Sequence, residues 1–291
     1  MEFFAPKTLS ETLSLIAELK MKGRLIAGGT NLIPDLRARV VKPQALIDIS
    51  HLKSLSYIKE EKKRIRVGGL TTIADVASSA MIQKFAPILY EAALRLGNPL
   101  VRNRATIAGN LVDASPAADT AVPLLVLAAL ILTEKEGEKR REIPIDQFFV
   151  GPGQTILKPG EVVKEIIFPK PNPNYKMAYH KLGLRNSDAI SVVSIAVLLE
   201  FNEAHCRKVR IGMGAVAPRP IRAYRAEEAM TGKKLTEELI EEGCRIVQQE
   251  IHPISDIRAS AEYRRSMTSV LLKRVLQRAP FKEKDEKKED L

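Results

Sequence analysis

The chain has 291 residues, 45% of them hydrophobic and 28% charged, with a formal net charge of +11. That is enough apolar material for two cored domains, and no apolar run approaches the ~20 residues that cross a bilayer, so no membrane insertion is expected. The positive balance does not make a nucleic-acid binder, because tryptophan is absent, aromatics are 5%, and the basic residues alternate with acids instead of gathering in a stripe.

Thr8-Leu-Ser-Glu11 has capping-box spacing, and Leu9, Leu13 and Ile16 follow at helical intervals up to Gly23, the expected cap. A short apolar strand at Leu25 to Ala27 then enters Gly28-Gly29. Thr30 is expected to cap a helix to about Arg39 with Pro34 in its first turn and Leu32, Ile33 and Leu36 on its apolar side. Strand, glycine turn and helix N-terminus together form an anion-holding arrangement. A strand at Ala45 to Ile49 closes a small α/β subdomain, in which the first helix serves packing. Next come a hairpin over Ser56 to Val67, a structural turn at Gly68-Gly69, a helix at Ile73 to Ser79 and a longer one at Lys84 to Leu96. Arg102 and Arg104 lie on the connection that follows Gly97-Asn98-Pro99.

Thr106 to Asp119 reads T-I-A-G-N-L-V-D-A-S-P-A-A-D. A turn of small residues (Ala108, Gly109, Asn110) precedes Ser115-Pro116, the preferred N-cap and first-position pair of a helix carrying Ala121, Leu124, Leu125 and Ala128. Such a loop points backbone N–H groups into one concavity. With the Gly28 loop, it suits a ligand that has a central pyrophosphate and two polar arms.

Strands are expected at Ala129 to Thr133, Arg140 to Ile143 and Glu161 to Phe168, with loop punctuation at Gly151-Pro-Gly153 and Lys158-Pro-Gly160. Pro169, Pro171 and Pro173 make a stiff linker and a domain boundary. Beyond it, strands at Tyr175 to Leu182, Ile190 to Phe201 and Arg207 to Ala215 precede helices at Ala223 to Met230, Leu235 to Gln249 and Ser260 to Gln277, an α+β order. Gly212-Met-Gly214-Ala-Val-Ala217 matches a loose dinucleotide pattern, but Pro218 and Pro220 fall where its helix needs N–H groups, so no nucleotide site is expected there. Lys282 to Asp290 is a mixed-charge tail, expected to be disordered.

The two cysteines, Cys206 and Cys244, cannot build an iron–sulfur site, which takes about four thiolates. They are expected to be buried, free thiols. The four histidines show no metal-ligand spacing. The start, Met1-Glu2-Phe3-Phe4-Ala5-Pro6, lacks a basic n-region and an apolar h-region, so a cytoplasmic location is expected.

The loops carry a family resemblance. Ala27-Gly28-Gly29-Thr30-Asn31-Leu32 and Thr106 through Asp119 resemble the two FAD-holding loops of the medium subunit of the molybdenum hydroxylases, the group containing carbon monoxide dehydrogenase and the flavin domain of xanthine dehydrogenase. Gly214 to Arg222 and Asp256 to Arg265 resemble the same family's C-terminal domain. Ala108 stands where the family usually has its first glycine, and Asn31 where it often has Asp, departures that touch fine geometry.

The resemblance implies an α+β architecture. A two-subdomain, vanillyl-alcohol-oxidase-like FAD-binding domain spans 1–170 (1–55 and 56–170). A C-terminal α+β domain with strands then helices spans 175–279, and a charged tail covers 280–291. It implies FAD contacts at Leu25, Ile26, Ala27, Gly28, Gly29, Thr30, Asn31, Leu32, Thr106, Gly109, Asn110, Val112, Asp113, Ser115, Asp119, Leu157 and Lys181, with Asp188 near the flavin domain interface. It also implies a large molybdopterin-binding partner that oxidises the substrate and a small partner with two-iron two-sulfur clusters. FAD would pass the clusters' electrons to an external acceptor, and no catalytic acid or base would be needed on this chain. A self-contained flavin oxidoreductase is the competing reading, and the sequence offers it no Cys/His pair, acidic pair or His–Asp arrangement.

Overall fold

The computed structural model describes residues 1–278 apart from Pro173, Glu203 and Ala204. The expected charged tail lies outside the described residues.

β1 (Glu2–Phe4), α1 (Leu9–Leu19), β2 (Gly23–Ile26), α2 (Leu32–Arg37) and β3 (Ala45–Asp48) form a small layer whose parallel sheet has the order β1-β3-β2. Thr8 caps α1, its hydroxyl accepting the Glu11 N–H at 3.1 Å. The Glu11 carboxylate accepts from the Lys7 N–H instead of closing the box on Thr8. The helix ends at Lys20, whose φ is 51°, and Gly23 already belongs to β2, so the expected glycine cap is displaced. Leu13 and Ile16 pack on Ile47 and Ile49.

The next layer begins with β4 (Ile58–Glu60) and β5 (Arg64–Gly68). A run of short helices follows: α3 (Ile73–Ser78), α4 (Ala80–Phe85), α5 (Pro87–Leu94), α6 (Pro99–Arg104), α7 (Ile107–Val112) and α8 (Ala121–Val126). The chain returns through β6 (Leu130–Glu134), β7 (Arg141–Pro144), α9 (Ile145–Phe148), β8 (Phe149–Gly151), β9 (Gln154–Thr155) and β10 (Val162–Pro169). The main sheet has the order β4-β5-β10-β6-β7, antiparallel throughout. The single helix expected over Lys84 to Leu96 is two, because Pro87 starts α5 and pushes Ala86 out of helical geometry (φ −142°). The Pro99 connection is itself helical, with the Asn98 side chain accepting the Val101 N–H at 3.0 Å.

Beyond Asn174, β11 (Tyr175–Leu182), β12 (Val193–Asn202), β13 (His205–Gly214) and β14 (Ile221–Arg222) make an antiparallel sheet. α10 (Tyr224–Met230), α11 (Glu237–Glu250) and α12 (Ala261–Arg278) follow it. Side chains alternate across a strand, and both faces of this sheet are covered. Val193, Ile195, Val197 and Ile211 meet Leu271 and Leu272 of α12 in one core. Tyr179, Ala196 and Leu198 join the core that holds Leu124, Phe148 and Phe168 of the preceding layer. A Cβ on Gly212 would stand 2.8 Å from the Val122 carbonyl oxygen, so the glycine-rich end of β13 serves to seat α8 on the sheet.

Candidate functional site

β2 delivers the chain into Ala27 and Gly28, and Gly29 has a positive φ of 71°, which glycine takes without strain. Asn31, not Thr30, occupies the N-cap of α2 and makes no side-chain cap, while the Ile33 N–H reaches back to the Gly29 carbonyl at 3.0 Å. Among the described residues, the N–H groups of Gly28, Gly29, Thr30 and Asn31 have no protein acceptor. Four consecutive free donors at a helix entrance make a nest for an anion. Gly28 is flush with another segment. A Cβ there would stand 2.5 Å from the Arg104 carbonyl carbon, closer still to its oxygen, and 3.0 Å from the Ala105 nitrogen. The Gly28 loop is therefore bolted by backbone contact to the entrance of the second predicted stretch.

That stretch differs from the expected loop. Thr106 is an N-cap whose hydroxyl accepts the Gly109 N–H at 3.1 Å, so Ala108, Gly109 and Asn110 are the first turn of α7. The Ile107 N–H donates to the Thr71 carbonyl at 3.0 Å and the Ala108 N–H to the Gly69 carbonyl at 3.1 Å. The N–H groups of Ile107 to Asn110 are thus consumed inside the protein and cannot cradle a phosphate. What it offers instead is side chains. Thr120 Oγ1 donates to Asn110 Oδ1 at 2.6 Å, which turns the Asn110 amide NH₂ away from Thr120 and leaves it for a ligand. Ser115 does not start a helix either. Its hydroxyl accepts the Ala117 N–H at 3.2 Å in a local turn, and α8 begins only at Ala121.

The turn at Ser115 carries Asp119 into an ion pair with Lys181 of β11. Lys181 Nζ stands 2.6 Å from Asp119 Oδ2 and 2.9 Å from the Arg95 carbonyl, and Ser191 Oγ donates to Asp119 Oδ1 at 2.6 Å. The Asp119 and Lys181 side chains are 8% and 6% exposed. Burial pushes the Asp119 carboxyl above its usual range, with Lys181, Ser191 and Tyr179 pulling the other way. Burial and the Asp119 charge together hold the Tyr179 phenol well above its ordinary value. Lys181 is thus a buried cation fixed at the seam between the two sheets, not a solvated strand end.

The remaining predicted residues take different places. Leu25, Ile26, Ala27 and Leu32 are half-buried around the Gly28 loop, and Val112 is 38% exposed at the end of α7, with Asp113 as its C-cap. Leu157 packs on the large core with its N–H 3.4 Å from Thr155 Oγ1 and bonds to neither loop among the described residues. Asp188, with φ 51°, donates its N–H to the Gly97 carbonyl at 3.3 Å, beside the Lys181 contact with Arg95. Sequence reasoning missed Ser191, Gly69 and Thr71. Gly69 is the legible one in hindsight: a Cβ there would stand 2.6 Å from the Val163 carbonyl oxygen, so the Gly-Gly pair marks close approach as well as a turn. No group of three or more His, Cys, Asp or Glu among the described residues is arranged to hold a metal, and no helix among them is long and apolar enough to cross a membrane.

Backbone N–H groups without a protein acceptor at Gly28 to Asn31, an amide at Asn110 and a buried cation at Lys181 are the kinds of group that hold a dinucleotide. Residues 1–171 match the family described as the FAD-binding domain in molybdopterin dehydrogenase, and residues 177–279 match the CO dehydrogenase flavoprotein C-terminal domain. The carbon monoxide dehydrogenase medium chain of Hydrogenophaga pseudoflava is 32% identical over 279 residues, 96% of each chain. The nicotinate dehydrogenase FAD-subunit of Eubacterium barkeri is 32% identical over 279 residues, 94% of each. Among solved structures, carbon monoxide dehydrogenase from Hydrogenophaga pseudoflava, in a form lacking the Mo-pyranopterin moiety, superposes with a TM-score of 0.92 at 33% identity over 96% of each chain. Quinoline 2-oxidoreductase from Pseudomonas putida 86 gives 0.90 at 27% identity, again over 96% of each. With both halves matched and the whole fold shared, this chain belongs to the family of FAD-binding flavoprotein subunits of the molybdopterin dehydrogenases.

Proposed function

We propose that this chain is the electron-transfer subunit of a heteromeric molybdenum hydroxylase, linking an iron–sulfur partner to an external acceptor. The observation that carries the reading is the row of free N–H groups at Gly28 to Asn31, locked by Gly28 against the Arg104 backbone. FAD, when bound, supplies the redox chemistry. The chain's own residues bind and orient it. The N–H groups of Gly28, Gly29, Thr30 and Asn31 take the pyrophosphate. Leu25, Ile26, Ala27, Leu32, Val112 and Leu157 form apolar walls, and Thr106 and Gly109 set the first turn of α7. Asn110, Asp113 and Ser115 supply polar contacts. Asp119 holds Lys181 as a fixed cation, whose charge favours an electron-rich flavin edge.

The relatives support this reading over a self-contained enzyme, because they are named as medium chains or FAD subunits of dehydrogenases that act on different compounds. Substrate choice belongs on that view to a large molybdopterin-binding partner, with two-iron two-sulfur clusters on a small one, in the cytoplasm. The cofactor-binding part ends near Pro169, and the C-terminal part starts at Tyr175. The test is an absorption spectrum of the purified chain with chromatographic identification of any released flavin, then analysis of co-purifying chains for molybdenum and iron. Released FAD with such chains is the expected result. A chain that takes up no FAD, alone or with its partners, overturns the reading. Turnover of a substrate by the isolated FAD-loaded chain would favour the self-contained enzyme.

A further inference from the structure

Neighbouring residues of β11 face opposite ways. Lys181 enters the pair with Asp119, and His180 faces the end of α5 and the last turns of α12, where Arg95, Arg274 and Arg278 lie close enough to act on it. All three arginines are exposed, and among the described residues none has a carboxylate within 4.0 Å. Lys273, next to Arg274, is by contrast engaged by Glu237 and Glu241. Glu91, on which Arg95 and Arg278 act, is half-buried, and burial raises its carboxyl against the pull of those two arginines. Residues 92–112 contain no acid at all. Burial and the three arginines lower the His180 pKa, and its Nδ1 is enclosed without a hydrogen-bond partner among the described residues.

Apolar surface accompanies this charge. Tyr263, Val270, Arg274 and Arg278 follow one another on a single face of α12 at helical spacing, with Tyr263 47% and Val270 39% exposed. Leu94, beside Arg95, is 44% exposed. A row of arginines with an aromatic and aliphatic side chains is the composition of a protein interface.

We propose that the exposed face of α12, together with Leu94 and Arg95 at the end of α5, is the docking surface for an acidic protein chain, the one that hands electrons to this subunit. This rests on the functional reading above. Arg95 spans both places: its side chain lies in the charged face while its carbonyl accepts from Lys181, so a chain seated here lies next to the cofactor pair. A donor of electrons needs that closeness for as long as it remains bound. Arginines with no carboxylate within 4.0 Å among the described residues steer an acidic partner and reject a basic one.

The experiment uses the full chain and the iron–sulfur subunit encoded with it, comparing wild type with R274E/R278E and R274Q/R278Q. FAD content and thermal midpoint are measured before any partner is added. If the wild-type chain takes up no FAD, alone or with its partners, the functional reading fails by itself. For the docking surface, the expected result is unchanged FAD in the variants and a wild-type affinity that drops with added salt. R274E/R278E should bind the iron–sulfur subunit at least about tenfold more weakly at low salt, with R274Q/R278Q in between. Affinity within about twofold of wild type for both variants overturns the proposal. So does loss of FAD from a folded variant, which would assign the face to the cofactor site, or loss of binding to the molybdopterin chain alone.

Discussion

Replacing Gly28 with alanine tests the contact that joins the two cofactor segments. Gly28 does not have a positive φ, unlike Gly29, so the barrier to a side chain at this position is not backbone strain. It is the Arg104 peptide, whose carbonyl carbon lies 2.5 Å from where the Cβ would sit. Carbon atoms settle near 3.5 Å, so one backbone has to retreat by about 1 Å. Overpacking of this kind costs about 1–3 kcal/mol. Because the retreat separates the free N–H row from the Arg104 backbone that leads into the second cofactor segment, much of that cost falls on the bound form, and it corresponds to a five- to 150-fold weaker hold on FAD. The assay is titration of apo-protein with FAD by flavin fluorescence, paired with thermal unfolding of the apo form. G28A should bind FAD at least about fivefold more weakly with a nearly unchanged apo midpoint, and Gly28→Val more weakly still. A G28A protein with wild-type FAD affinity would refute the idea that this contact sets the site.

Asp119 and Lys181 predict a pH dependence. Burial raises the Asp119 carboxyl above its unfolded value of 3.8, so the native state keeps this proton to higher pH than the unfolded chain does. Its contribution to stability is therefore complete below that value and declines as pH climbs toward the raised folded pKa. Lys181→Met removes the compensating cation and should destabilise by about 3–5 kcal/mol near neutral pH, with less loss near about pH 4, read from urea midpoints. A loss that is the same at both pH values would show that Asp119 is ionised in the variant. Thr106→Val deletes the α7 cap and should cost about 1 kcal/mol, a fall of about 2–4 °C in midpoint. Equal midpoints would mean that Gly69 and Thr71 hold the helix without it. Burial pushes both the Cys206 and Cys244 thiols up to about 11, so neither should react with iodoacetamide until the chain unfolds. Modification of either in the native protein would contradict that.

Much of this architecture is written locally. Strands such as Tyr175–Leu182 and Val193–Asn202 read directly from runs of β-branched and alternating residues, and the Thr8 cap from its spacing. Errors arose where distant backbone decides the local state. Ala108-Gly109-Asn110 has turn composition, yet hydrogen bonds from Ile107 and Ala108 to Thr71 and Gly69, more than thirty residues upstream, hold it as helix. Ser115-Pro116 has the residues of a helix start, but its turn instead carries Asp119 to a lysine 62 positions away in sequence. The glycine loop at Gly28 was legible as a ligand loop, although its tightest constraint comes from Arg104 and leaves no trace in the residues beside it.

One feature of the fold bears on how such a chain can be rearranged. Tyr179, Ala196 and Leu198 sit in the same core as Phe148 and Phe168, and Gly212 is pressed against α8. The segments on either side of Asn174 are therefore not cassettes. A fragment ending near residue 171 would present an oily wound where β12 had lain, and a hybrid made from two relatives would need matching substitutions on both banks of the joint. A change on either side of that joint has to be matched on the other for both halves to keep their shared core.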